Sequence, residues 1–110
     1  MSGALSYDTE LEELEEIRVV RSATRYYGRD HHIAKVIEEM AELQQQLAKQ
    51  LTGEADTPHL AEETADVVIA LAELIRDFNI RDGVLKWRWY KIGRLKSRLL
   101  KLGVQIGNGE

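Results

Sequence analysis

The sequence predicts an all-α protein, an antiparallel four-helix bundle completed by oligomerisation. Three observations predict it. Apolar residues recur at three- and four-residue steps along most of the chain. Breaks marked by Gly and Pro divide it into four stretches of helical length, and no stretch alternates apolar and polar residues as a half-buried strand does. The breaks are short, which favours antiparallel neighbours. At 110 residues the chain is expected to form one domain over 1–102, followed by a Gly-rich flexible tail over 103–110. A domain of this size buries only about two-thirds of the surface its unfolded chain exposes, so its private core is thin and self-association would add burial.

The first helix is expected from about Asp8 to Tyr27, where Leu11, Leu14 and Ile17 give a weak amphipathic face before Gly28 ends it. The second should begin with Asp30 as N-cap and continue to Leu51; Ile33, Val36, Ile37, Met40, Leu43 and Leu47 form its apolar stripe. The third is expected to be capped by Thr57, with Pro58 at the first helical position, where its missing N–H costs nothing, and to run to about Phe78. Asn79 to Gly83 reads as a turn, and the fourth helix follows from about Val84 to Leu102.

Composition narrows the class. Hydrophobic residues make up 44% and charged residues 31%, which suits a soluble helical domain and excludes a disordered chain. With no cysteine, disulfides and thiolate metal sites are excluded. Neither an apolar leader nor a run approaching the roughly 20 apolar residues of a membrane span is present, so the expected location is cytoplasmic. Charge is unevenly spread: residues 8–16 hold six acids and no base, whereas 81–101 hold eight of the 15 Lys and Arg residues. Such a basic segment either meets phosphates or nucleic acid or forms a solvated face balancing the acidic end.

The informative residues are acids in apolar surroundings. On the third helix Leu60, Val67, Val68, Leu71, Leu74, Ile75 and Phe78 cover one broad face, and Ala65 and Ile69 extend apolar surface to the far side. That helix should therefore be buried nearly all round. Yet Glu63 falls among Val67, Ala70 and Leu74, with Asp66 about 60° away around the helix. An unpaired buried carboxylate costs several kcal/mol, so a cation is required, and a divalent metal ion supplies one. The second helix offers a matching pair, Glu39 and Glu42, at the same i, i+3 spacing, although Glu42 lies far from the apolar stripe of its helix. Two antiparallel helices, each with an acid pair, make an oxygen-only cluster that suits Mg²⁺, with Mn²⁺ as a substitute. Mg²⁺ keeps waters and also binds substrate phosphates, so such a cluster is an open site.

The run Glu38-Glu39-Met40-Ala41-Glu42, followed by Glu63-Thr64-Ala65-Asp66, resembles the paired EExxE and ExxD motifs of the MazG-like all-α nucleoside triphosphate pyrophosphohydrolases. His31-His32-Ile33-Ala34-Lys35 and Lys91-Ile92-Gly93-Arg94-Leu95-Lys96 resemble the short bacterial and phage members, and the likeness covers about residues 25–100. The resemblance implies cleavage of a nucleoside triphosphate between the α- and β-phosphates to give a monophosphate and pyrophosphate. It implies Glu39, Glu42, Glu63 and Asp66 as metal ligands, Glu38 and Glu39 as the catalytic carboxylates, with Glu38 either supporting the ligands from behind or helping to position the attacking water, and a homodimer or homotetramer.

Chemistry adds the cations. Charge developing on a pyrophosphate leaving group needs neutralising, and Lys35, Lys91 and Arg94 are the candidates. Lys35 has a competing role as the i, i+4 partner of Glu39. Many relatives have an Asn near Gly93 or Arg94, and this chain has none. The base-binding residues are not identifiable: Trp87, Trp89 and Tyr90 either stack on a base or belong to a core or subunit interface. His31 and His32 either touch a phosphate or sit exposed at a helix start.

Other classes fit less well. A nucleic-acid-binding module would use the basic fourth helix but leaves Glu63 and Asp66 unexplained, and the net charge of −4 opposes it. A carboxylate-bridged di-iron bundle needs Glu-x-x-His pairs, and no His follows these Glu residues at that spacing. A catalytically silent helical oligomeriser would have no need for all four acids.

Overall fold

The computed structural model describes residues 3–108, with side-chain surroundings from residue 13 onward. Among the described residues there are four α-helices and no strand: α1 (Gly3–Tyr27), α2 (Arg29–Leu51), α3 (Thr57–Asp77) and α4 (Arg81–Lys101). The chain divides into two compact units, Met1–Phe78 and Asn79–Glu110. No described helix is long and apolar enough to cross a membrane.

Helix boundaries follow local chemistry. Gly28, at φ 86° and ψ 171°, separates α1 from α2 in a backbone region that is open to glycine and strained for other residues. Gly28 therefore holds the N-cap position expected for Asp30, which sits in the first turn, where a carboxylate is favoured by the helix dipole. At α3 the cap is Asp56, not Thr57: its Oδ1 accepts the His59 backbone N–H at 3.1 Å. A carboxylate at this position caps better than a threonine hydroxyl. The fourth helix starts at Arg81, earlier than expected, after Asn79 takes a left-handed turn at φ 52°. Asp82 in its first turn favours the early start.

In the first unit, α2 lies along α3, and α1 packs against both. Early residues of α2 meet late residues of α3, as His32 approaches Glu73 and Asp77, so the two helices run antiparallel. The described apolar core is thin, comprising Val20, Val36 and Ala70.

Two expectations about burial are corrected. The buried residues of α2 are His32, Val36, Glu39 and Gln46. These line one face at helical spacing, and that face, mostly polar, is the one turned inward. Most of the predicted apolar stripe is left outside: Ile33, Ile37, Met40 and Leu47 are exposed, while Val36 is buried and Leu43 half-buried. On α3 only Glu63 and Ala70 are buried, so this helix is not covered all round. Its far side forms a shallow apolar groove over Leu60, Ala61, Thr64, Ala65, Val68 and Ile69. Both corrections have one cause: the helices meet through the face that carries the acids, which leaves their apolar faces open.

Candidate metal centre

The seam between α2 and α3 brings together the four acids that the sequence singles out. Glu39, Glu42, Glu63 and Asp66 each offer a carboxylate oxygen, and these oxygens all lie within 4.8 Å of one another. Glu39 and Glu63 are buried and supply the floor, while Glu42 and Asp66 are half-buried at the rim. Glu42 reaches the seam although it lies off its helix's apolar stripe, because the polar side of α2 is the side packed on α3.

The electrostatics are those of a site lacking countercharge. Glu39 Oε2 and Glu63 Oε2 are buried and accept no hydrogen bond, a situation that costs stability unless a cation compensates. The Glu42 carboxyl is held above its ordinary range, first by burial and then by the charges of Glu39 and Glu63. The Asp66 carboxyl is raised by burial and then by Glu39, Glu63 and Glu62, with Lys35 opposing the shift. Lys35 Nζ lies 3.1 Å from Glu39 Oε1, and this contact and charge raise the Lys35 ammonium above its usual value. One lysine thus faces four acids. The donor set is all oxygen and matches a hard divalent cation such as Mg²⁺.

The other predicted residues are less concentrated. Lys35 makes the i, i+4 pair with Glu39 and keeps its side chain nearly half exposed. Glu38 is exposed beside Glu39 on α2. Lys91 and Arg94 lie on α4 in the second unit, where the Arg94 guanidinium sits 6.0 Å from the Tyr90 ring centroid. Trp87 packs edge-to-face on Tyr90 at 5.8 Å between centroids, and Trp89 is 81% exposed. His31 stacks on Tyr27 at 4.4 Å. His32 is neither an exposed residue nor a cap. It is fully buried between Glu73 Oε2 and Asp77 Oδ2, each 3.7 Å from a ring nitrogen. Arg29 extends the group, with Nε 3.5 Å from the same Asp77 oxygen and its guanidinium over the Phe78 ring.

Three residues near the seam were not singled out by sequence. Gln46 is buried one turn beyond Glu42. His59 Nε2 lies 3.2 Å from Glu63 Oε1, and His59, Glu62 and Glu63 form a second group with ligand atoms within 4.8 Å of one another. The signal for it was present in the His-x-x-Glu-Glu spacing, which puts all three side chains on one turn of helix. Comparison with known protein families, curated proteins and solved structures returns no match to this chain.

Proposed function

We propose that the chain is a Mg²⁺-dependent nucleoside triphosphate pyrophosphohydrolase, with Glu39, Glu42, Glu63 and Asp66 as its metal ligands. The observation that carries this reading is the convergence of those four acids from two helices, with two buried oxygens lacking any partner. The MazG-like spacing of the two acid pairs supports the reaction class. Mg²⁺, with Mn²⁺ as a substitute, would screen the triphosphate's charge and lower the pKa of a bound water.

The chain's own residues do the rest. Glu38, exposed beside Glu39, holds the attacking water and accepts its proton. The water oxygen bonds to the α-phosphorus, the bond from that phosphorus to the bridging oxygen breaks, and nucleoside monophosphate and pyrophosphate leave. Lys35 neutralises the pyrophosphate, and Lys91 and Arg94 are proposed as phosphate-binding residues in their own right. Lys35 serves by turning from Glu39, a move its exposed side chain permits.

The open apolar stripe of α2 and the open groove of α3 support assembly into a homodimer or homotetramer, in which a second copy completes an antiparallel four-helix bundle. The site requires no membrane, and a cytoplasmic location fits its substrate.

The test is incubation with a panel of canonical NTPs and dNTPs, in Mg²⁺ or in EDTA, with separation of products. Metal-dependent monophosphate and pyrophosphate support the reading and rank bases and sugars. Diphosphate and orthophosphate would place the cut elsewhere and overturn it.

A second reading rests on charge. Residues 79–110 hold eight Lys and Arg against two Asp and Glu, whereas residues 1–78 hold seven against 17. A non-catalytic oligomer that binds nucleotides or nucleic acid through α4 would use that division. Salt-sensitive binding of an oligonucleotide in EDTA, with no turnover of any nucleotide, would favour it.

A further inference from the structure

We infer that the face of α4 around Gly93 binds single-stranded nucleic acid, stacking bases on Trp89 and Tyr90 and holding the backbone with Arg94, Arg98 and Lys101. The inference deepens the charge-based second reading by naming the face and the form of nucleic acid, and it rests on that reading for the use of α4. It does not depend on the acid cluster of the first unit.

Three observations carry the inference. The first is local charge: residues 83–109 hold seven Lys and Arg and no acid, while 17 of the 19 Asp and Glu residues fall in residues 1–78. The overall acidity therefore belongs to the first unit, and α4 carries a positive field of its own. The second is where the aromatic residues fall around the helix. At about 100° per residue, Val84, Leu85, Ile92, Leu95 and Leu99 form one apolar stripe. Tyr90, Gly93 and Arg94 lie about 130–170° from the middle of that stripe, with Trp89 at its margin about 90° away. The third is exposure: no residue of α4 is buried, and Trp89 is 81% and Tyr90 56% exposed. Large rings outside the stripe that a core would cover, set among guanidinium and ammonium groups, match a planar ligand carrying negative charge.

The face has a shape as well as a charge. Trp89, Tyr90, Gly93, Arg94, Arg98 and Lys101 line one shallow groove along the helix. Gly93 is its floor: a Cβ there would meet nothing within 4 Å, so a base can approach the backbone beside the two rings. Tyr90 is held in place, with Trp87 edge-to-face on it at 5.8 Å and the Arg94 guanidinium 6.0 Å from its ring centroid. Arg94 and Arg98 follow one another at i, i+4, about 6 Å apart along the axis, a step comparable to that between successive phosphates of an extended strand. A single strand is favoured over a duplex because stacking on a side chain needs a base free of its pair. The competing account is a solvated basic face, which predicts salt-sensitive binding of any polyanion and no role for Trp89.

The experiment measures, by fluorescence anisotropy in EDTA over a range of NaCl, binding of the full chain to a labelled oligothymidylate of about 12 nucleotides and to a duplex of the same length. Circular dichroism checks the helicity of each variant. Wild type should bind the strand about tenfold or more tighter than the duplex. Trp89→Ala should weaken the strand by about tenfold or more, and Trp89→Phe, which keeps a ring, should recover most of that loss. Gly93→Leu fills the groove without changing charge and should weaken binding too. Arg98→Gln with Lys101→Gln should flatten the slope of log Kd against log salt by about 1.4. Asp66→Asn should bind the strand as wild type does. Equal binding of strand, duplex and heparin, unchanged in Trp89→Ala, would overturn the inference in favour of a solvated basic face. Displacement of the strand by an equal concentration of dTMP would overturn it in favour of a single nucleotide. A duplex bound tighter than the strand would overturn it and leave the charge-based reading standing, whereas no binding of any nucleotide or nucleic acid would overturn both.

Discussion

Replacing Glu63 by Gln should make the metal-free protein more stable and abolish its stabilisation by Mg²⁺. At 4.8 Å, the outer limit of separation within the cluster, two unit charges in an effective dielectric constant near 20 repel by about 3.5 kcal/mol. Glu63 faces Glu39, Glu42 and Asp66 while keeping a contact to His59 that Gln can also make. The attraction of Lys35 for Glu39, the raised carboxyls of Glu42 and Asp66, and solvent at the rim offset much of that repulsion. A net gain of about 1–2 kcal/mol for Glu63→Gln in EDTA is what remains. In a domain near this size that gain raises Tm by about 4–8 °C for each kcal/mol. Mg²⁺ at about a hundred times its Kd should add about 2.7 kcal/mol to wild type and nothing to the variant, so their order of stability reverses on adding metal. Thermal unfolding followed by circular dichroism, in EDTA and in Mg²⁺, reads all four states. A variant less stable than wild type in EDTA, or stabilised as much by Mg²⁺, would refute the reasoning.

Other perturbations have equally definite outcomes. Glu42 and Asp66 have folded-state pKa values above their ordinary 4.5 and 3.8; between those values and the raised ones the folded state binds more protons than the unfolded. Their contribution in EDTA is therefore full below the ordinary values and lost as pH rises through the raised ones. Metal binds the deprotonated acids, so the difference in Tm between Mg²⁺ and EDTA should grow with pH across the same window; a constant difference would count against the site. His32→Ala removes a fully buried ring that Glu73 and Asp77 flank, and urea unfolding should show a loss of about 2–4 kcal/mol. A methyl group at Gly93 would meet nothing within 4 Å, so Gly93→Ala should stabilise α4 by about 0.5–1 kcal/mol in thermal unfolding. A loss of stability there would reveal a partner packed against that glycine.

How much of this was legible in the sequence depends on which signal a residue carries. Helix number and approximate ends followed from periodicity and punctuation, because Gly28, Gly53 and Pro58 act on the backbone locally. The caps were misplaced by one or two residues, since the local backbone decides which of several neighbouring residues stands at the helix start. The acid cluster was legible because two i, i+3 pairs on consecutive antiparallel helices meet wherever their shared face is packed.

Which face is packed was not legible. Periodicity assigns the apolar stripe of α2 to the interior, but it cannot say whether that interior lies within one chain, and here the stripe of Ile33, Ile37, Met40 and Leu47 is outside. His32 was misread for the same reason, because on a wheel built around that stripe it falls at the edge, whereas the actual seam runs over it. His59 was not singled out, although its i, i+3 and i+4 spacing to Glu62 and Glu63 places it beside the site, 3.2 Å from Glu63.

The most direct test of the central claim compares wild type with Asp66→Asn on the best nucleoside triphosphate, in Mg²⁺ and in EDTA, with products separated and counted. The account predicts monophosphate and pyrophosphate in equal amounts from wild type in Mg²⁺, and neither from wild type in EDTA nor from Asp66→Asn. Unchanged hydrolysis by Asp66→Asn, or release of diphosphate and orthophosphate by wild type, would contradict it.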